Sequence, residues 1–218
     1  MSEKVAQFWN TRKGIDFDLK AQESGRMQAI ERIADLARPY FAQDGITSID
    51  LGCGTGLFAK AVGNRKIVGV DFSEPFLEVA RERMDRVIQQ SVFEVHLKAN
   101  SVNNAVSLFV LDDYPSDQKI SFFRQVFAWL KPGGCFFFAA YSPNDERMGK
   151  LKGQININTK ADFTIYLESA STYQDMLSAC DFTLLQSEVM GTCGKYEVEA
   201  KPTDVKREFI LIVARKPL

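Results

Sequence analysis

Ser48-Ile49-Asp50-Leu51-Gly52-Cys53-Gly54-Thr55-Gly56 places three alternating glycines directly after a short apolar run. Residues 46–51, ITSIDL, have the length and apolar character of a buried strand. Residues 57–62, LFAKAV, read as the helix that follows. A glycine turn between strand and helix lets bare backbone approach a ligand, and the helix offers its first N–H groups to a carboxylate or phosphate. The spacing is G-x-G-x-G. Leu57 stands where the dinucleotide fingerprint G-x-G-x-x-G requires its third glycine, which disfavours a nicotinamide oxidoreductase.

Working outward, KIVGVD (66–71) reads as a second buried strand ending in Asp71, fifteen residues past Gly56. An acidic side chain at that place can accept both hydroxyls of a ribose. Upstream, Met27, Ile30, Ile33, Ala34, Leu36 and Ala37 recur at helical spacing, so residues 20–42 predict one amphipathic helix stopping near Pro39. Downstream, residues 73–84 predict a helix with Ser73 as N-cap and Pro75 in its first turn. Residues 85–90 form a weakly apolar third strand and 104–111 a fourth. A long helix over 116–130 stops at Lys131-Pro132-Gly133-Gly134, and CFFFAAY (135–141) is a fifth strand. A helix over 171–180 and strands over 182–190 and 207–215 complete the chain.

Strands alternating with helices require crossovers and a mostly parallel sheet. The last two strands are separated by Gly191, Gly194 and polar residues, which predicts an antiparallel hairpin at one sheet edge. The expected fold is therefore α/β: a Rossmann-like, doubly wound sheet of about seven strands, mostly parallel, with an antiparallel last strand. Residues 1–218 read as one domain, with an N-terminal helical lid over 1–42. The segment 142–170 is long for a connection and reads as an insertion folding over an acceptor.

Composition narrows the function classes. The 218 residues are 45% hydrophobic and 25% charged, enough for a full core. A formal net charge of −1 implies no large basic surface, so nucleic acid is not an expected partner. Cys53, Cys135, Cys180 and Cys193 are scattered without a C-x-x-C, against a zinc site or disulfide framework and in keeping with a cytoplasmic protein. No apolar run is long enough to span a membrane, so no membrane partner is expected. No Asp/Glu/His group has metal-ligand spacing, so no metal is expected.

Three segments taken together resemble the signatures of class I S-adenosylmethionine (SAM)-dependent methyltransferases: DLGCGTG (50–56), VGVDFS (68–73) and LKPGGCFFFAAY (130–141). FWNTRKGIDFD (8–18) is similar to the W-D-x-x-A-x-x-Y-D segment of many small-molecule members, with Phe17 in place of Tyr. The resemblance implies SAM as cofactor and S-adenosylhomocysteine as product. It lays the methionine part against Gly52, Cys53, Gly54 and Gly56, gives Asp71 the ribose hydroxyls, and packs Phe72 on the adenine. Asp50 and Leu108 complete the implied cofactor contacts. Where the family often has an Asp after the third strand, Ser91 stands here with the Val92 backbone beside it; a neutral hydroxyl accepts a hydrogen bond less strongly than a carboxylate.

Methyl transfer from a sulfonium has a good leaving group, so positioning and desolvation supply much of the rate, and a base is required only if the acceptor must lose a proton. Asp112 and Asp113, in the loop after the fourth strand, and Tyr141, ending the fifth, are the catalytic candidates; the two Asp also suit the dipole of the helix that follows. His96, the single histidine, lies between apolar residues far from any motif and reads as structural. Trp9, Phe17, Tyr114, Phe163 and Tyr166 are the expected acceptor-binding residues. The function expected is methyl transfer to O or N of a small organic acceptor. The alternatives are a SAM-binding protein without methyl transfer, and a protein or RNA methyltransferase. Strand four ends VLDDY, without the N/D-P-P-[YF] signature of amide and base N-methylation.

Overall fold

The computed structural model describes residues 3–42, 45–149, 165–198 and 201–218. Three helices precede the sheet: α1 (Glu3–Asn10), α2 (Gly14–Glu23) and α3 (Arg26–Phe41). Then come β1 (Ser48–Leu51), α4 (Leu57–Val62), β2 (Val68–Asp71), α5 (Glu74–Ala80), β3 (Arg86–Gln89) and β4 (Val102–Leu108). A single 3-10 turn, Leu111–Asp113, leads into α6 (Ser116–Trp129) and β5 (Leu130–Tyr141). The short α7 (Glu146–Gly149), α8 (Ala170–Ser178), β6 (Thr183–Val198) and β7 (Lys201–Arg215) follow. The seven strands form one sheet in the order β3-β2-β1-β4-β5-β7-β6. The first five are parallel, and β7 runs antiparallel between β5 and β6.

Alternation along β5 shows how the sheet is covered on both faces. Cys135, Phe137, Ala139 and Tyr141 join Ile33, Phe41 and Phe58 under α3 and α4. Phe136, Phe138 and Ala140 join Phe122, Phe123 and Tyr173 under α6 and α8. Successive side chains of a strand point to opposite faces, so a sheet buried on both sides must be apolar at nearly every position. That is where much of the high Phe content goes.

The expected fold is the observed one, with local differences. The single helix expected over 20–42 breaks at Gly25, which has φ +73°. A Cβ there would lie 2.8 Å from Thr192 Cγ2 and 2.9 Å from the Cys193 carbonyl oxygen, so a strand passes where a side chain would be. The fifth strand begins at Leu130 rather than Cys135 because Leu130 pairs with Val102 before Lys131–Gly134 bulges out; pairing resumes at Asn104 with Cys135. The last two strands are longer than expected. Their pairing runs on from Met190 with Phe209 to Val198 with Lys201. Since Tyr141, the last residue of β5, pairs with Phe209, this ribbon projects beyond the carboxyl end of the parallel strands. It is tied down there by Arg207, which pairs with Asp145 at 2.7 Å and donates to the Ser24 carbonyl at 2.8 Å.

Candidate functional site

The strand order reverses between β1 and β4, and in such sheets the crevice at the carboxyl ends of the strands at this reversal is where ligands bind. The glycine turn lies there. Gly52 and Cys53 both donate to the Val70 carbonyl, at 2.7 and 2.9 Å, which locks the turn to β2. All three glycines have positive φ, for different reasons. A Cβ on Gly52 would lie 2.2 Å from Val110 Cγ2, so Gly52 serves packing. Gly56 is the left-handed N-cap of α4. A Cβ on Gly54 would find only Phe17 Cε1, at 3.9 Å. The open side of the turn is therefore at Gly54, bounded by an aromatic ring from α2.

Asp71 ends β2 beside that opening. Its Oδ2 accepts from Gly54 N and its Oδ1 from Ser73 N, both at 2.9 Å. Burial raises its pKa, and the N–H groups of Ser73, Gly54 and Phe72 oppose the shift. Each carboxylate oxygen keeps a second lone pair for a ribose hydroxyl. A cradle that a Cβ at Gly54 would fill, with a fixed carboxylate next to it, fits an adenosyl cofactor. Asp50 lies inside β1, 2% exposed, and burial followed by the Asp71 charge pushes its carboxyl up to about 8. Cys53 is buried in the core under α3 and α4, with its thiol pKa raised by burial. Phe72 is half-buried at the end of β2, Leu108 half-buried at the end of β4. The Ser91 hydroxyl accepts from Phe93 N at 3.4 Å, and Val92 is buried.

The N-terminal helices lie across this edge. Ser73 Oγ donates to the Trp9 carbonyl at 3.3 Å, and the Trp9 indole N–H donates to Asp113 Oδ2 at 3.0 Å. Phe17 packs on Phe76 with ring centroids 4.7 Å apart. Asp18 pairs with Arg83 at 2.6 Å and accepts from the Thr55 hydroxyl. Trp9 and Phe17 thus reach the glycine turn and the 3-10 turn together, 6.0 Å apart.

The candidate bases separate. Asp113 is half-buried, and burial pushes its carboxyl up to about 6 against the lowering effect of the Trp9 N–H. Asp112 turns inward and is 3% exposed. Its Oδ2 accepts from Tyr141 N at 3.4 Å, Oδ1 has no hydrogen-bond partner, and burial raises it to about 8 while Lys119 opposes. Tyr141 closes β5 with its ring 5.1 Å from Phe109 and 5.7 Å from Phe209. Tyr114 packs its ring against Phe93 at 4.6 Å on the α6 side of the sheet, while its hydroxyl feels the charges of Asp113 and Asp71. Tyr166 is 38% exposed, with its N–H on the Asp112 carbonyl at 2.8 Å and its own carbonyl accepting from Lys119. Phe163 and most of the 142–170 insertion lie outside the described residues. Among the described residues no group of His, Cys, Asp and Glu could hold a metal ion, and no helix is long and apolar enough to cross a membrane. A surface recess lined by Arg38, Phe41, Ser48 and Lys66 sits at the amino end of β1, away from all of these groups.

Several groups at the edge were not foreseen. Phe109 has φ +60°, an uncommon conformation for a bulky residue, and such strain gathers at functional sites. Asp18 and Arg83 fasten the lid. Arg12 and Arg26 both approach Tyr141: the Arg26 guanidinium donates to its hydroxyl at 3.4 Å, and the tyrosine acts electrostatically on Arg12. Scattered along the chain, these residues form no local pattern.

Residues 49–134 match the family model of a methyltransferase domain. The cypemycin N-terminal methyltransferase of Streptomyces sp is 33% identical over 109 residues, which are 46% of this chain and 44% of that protein. The chain spans between 18% and 56% of the length of the curated relatives it matches. A putative methyltransferase from Bacillus halodurans superposes with TM-score 0.66 at 16% identity, over 85% of this chain and 99% of its own. The magnesium protoporphyrin IX methyltransferase of Synechocystis, solved with S-adenosylhomocysteine, gives 0.65 at 15% identity, over 88% of this chain and 83% of its own. At these identities the superpositions speak for the fold, whereas the domain match falls on the stretch holding the glycine turn, Asp71 and Asp113. Fold and motif stretch agree: residues 49–134 match a methyltransferase domain, and the chain around them has the fold of the solved methyltransferases.

Proposed function

We propose that this chain methylates an oxygen or nitrogen of a small organic acceptor at the carboxyl edge above β4 and β5. The observation that carries the reading is the lid contact: Trp9 of α1 donates to Asp113 beyond β4 while Phe17 of α2 borders the opening at Gly54. One lid thus covers the cofactor cradle and the candidate base together, which suits an acceptor small enough to be enclosed.

When bound, the cofactor supplies an electrophilic methyl group on a sulfonium. Gly54 and Asp71 hold and orient it. The aromatic groups Trp9, Phe17, Phe109 and Tyr141 exclude water. Asp113, with a pKa of about 6, is ionised at neutral pH and takes the proton that a hydroxyl or protonated amine must lose. The cypemycin relative favours a second reading, in which the acceptor nitrogen is the terminal amine of a peptide. Incubation with SAM and a pooled set of small hydroxy acids, phenols, amines and short peptides, read by mass spectrometry, separates these. Methylated product with matching S-adenosylhomocysteine is expected from the small molecules. Product from peptides alone would select the second reading, and cofactor binding without any product would select the non-methylating alternative.

A further inference from the structure

The acceptor side of the cleft is lined with positive charge that the protein leaves uncompensated. Arg26 is 9% exposed; its guanidinium lies 4.1 Å from the Phe17 ring centroid and reaches the Tyr141 hydroxyl. Arg12 lies 4.2 Å from the Phe8 centroid and 5.6 Å from that of Trp9. The Nε of each is buried without a hydrogen-bond partner. Burial, then Arg147, then Arg26 lower the Arg12 pKa, so the three guanidiniums share one field. Among the described residues neither Arg12 nor Arg26 is in an ion pair; the ion pairs nearby are Arg83 with Asp18 and Arg207 with Asp145.

Burying a cation without a partner is costly, and the cost rises when a second cation faces it. Two guanidiniums so placed destabilise the free protein and are relieved by an anion. The cofactor does not provide that relief in full: its carboxylate is matched by its own ammonium, and its sulfonium adds another positive charge. Arg26 bridges the two halves of the cleft, from Phe17 beside Gly54 to Tyr141 at the end of β5. The neighbours of Arg12 are Phe8, Trp9, Arg26, Arg147 and Tyr141.

We propose that the acceptor is an organic acid whose carboxylate is bound by the Arg12 guanidinium in front of Tyr141, with Arg26 adding to the positive rim. This rests on the methyltransferase reading above. The planar fork of an arginine matches a carboxylate in a two-point contact, and stacking on Phe8 and Trp9 fixes the plane of that fork in advance. Phe109 and Tyr141 offer flat apolar surface to the body of the acid. The carboxylate serves as the handle, and the methyl group goes to another oxygen or nitrogen of the same molecule.

The test uses matched acids and amides, benzoate against benzamide and indole-3-acetate against indole-3-acetamide. Binding is followed by ligand-observed NMR with the full chain saturated in S-adenosylhomocysteine. The acid of at least one pair is expected to bind at least about tenfold more tightly than its amide. Arg12→Gln should bring the acid down to the affinity of the amide, Arg12→Lys should fall between, and S-adenosylhomocysteine affinity should stay within about twofold in both. The acid–amide contrast in the unaltered chain stands without any variant. Amides binding as well as acids, no binding by any probe, or an acid indifferent to Arg12→Gln would overturn the proposal. So would a matching loss of S-adenosylhomocysteine affinity in Arg12→Gln, because the arginine would then belong to the cofactor's own carboxylate. Failure of the unaltered chain to bind S-adenosylhomocysteine at all would instead strike the methyltransferase reading.

Discussion

Two glycines a single residue apart do different work, and substituting them separates fold from function. Alanine at Gly52 would meet Val110 at 2.2 Å in addition to adopting φ +78°. Gly52→Ala should therefore lower thermal stability by about 2 kcal/mol or more. Gly54→Ala meets only Phe17 at 3.9 Å and bears the left-handed strain alone, about 1 kcal/mol. It should melt near the parent chain yet bind S-adenosylhomocysteine at least about tenfold more weakly, since the added methyl occupies the cofactor's space. Melting curves and calorimetry on both variants give the comparison; equal stability losses with equal affinities would remove Gly54 from the cofactor site. Asp113 yields a second expectation. Its pKa is raised to about 6, so it is protonated and inactive as a base below that pH and ionised above it. With a hydroxyl acceptor, kcat/KM should climb with pH to about 6 and then level off. Trp9→Phe removes the N–H that favours the carboxylate, so the break should move to higher pH; Asp113→Asn should lose about 100-fold or more and flatten the profile. A break that stays in place in Trp9→Phe would separate Asp113 from the chemistry.

At the scale of elements, the hairpin β6–β7 is fastened to the segment after β5 by a buried ion pair. Arg207 and Asp145 have fully buried side chains, and Asp145 Oδ2 also accepts from Glu208 N at 2.9 Å. Arg207→Met leaves a carboxylate in the interior without its cation and should cost about 3–5 kcal/mol in denaturant unfolding; adding Asp145→Asn should restore a large part. Additive losses in the double variant would show that the two side chains do not act as a pair. This pair also marks where the sequence stops being readable. The parallel strands and Asp71 were legible because each is a short apolar run closed by glycine or a capped helix, a signal contained in about ten residues. The break at Gly25 was not legible, since its cause is Thr192 and Cys193, far along the chain. The ribbon's extension past Met190 was hidden because Gly191 and Gly194 read as a turn, whereas they continue a paired strand. The glycine turn and Asp71 follow local motifs, and the structure places both at the carboxyl edge of the sheet. Arg12, Arg26 and Arg147 come from the turn between α1 and α2, from α3 and from α7, and only folding brings them together.

Considered whole, the molecule is a sheet whose carboxyl edge is overlain by α1 and α2. The cover, α1 and α2, touches the sheet edge through few polar contacts: Trp9 to Asp113, Ser73 to Trp9, and Asp18 to Arg83 and Thr55. Gly14 packs so closely that a Cβ there would lie 2.7 Å from Val79, so the closed position is specific. On the reading that places the cofactor between Gly54 and Phe17, opening of the cover is a step in exchange. Asp18→Asn keeps an acceptor for the Thr55 hydroxyl but removes the charge that faces Arg83. That pair is largely screened from solvent, with side chains 15% and 20% exposed, and its loss should be worth about 1 kcal/mol, or about fivefold in an equilibrium. S-adenosylhomocysteine should therefore leave Asp18→Asn about fivefold faster in stopped-flow displacement. The rate of association should not fall, because the same contacts hold the cover closed in the unliganded chain and their loss favours the open form. Hydrogen exchange in residues 3–23 should slow on ligand binding in the parent chain and slow less in the variant. If dissociation is unchanged and residues 3–23 exchange alike with and without ligand, the N-terminal helices are a fixed wall of the site. The acceptor must then reach Asp113 by another path, along the ribbon of β6 and β7.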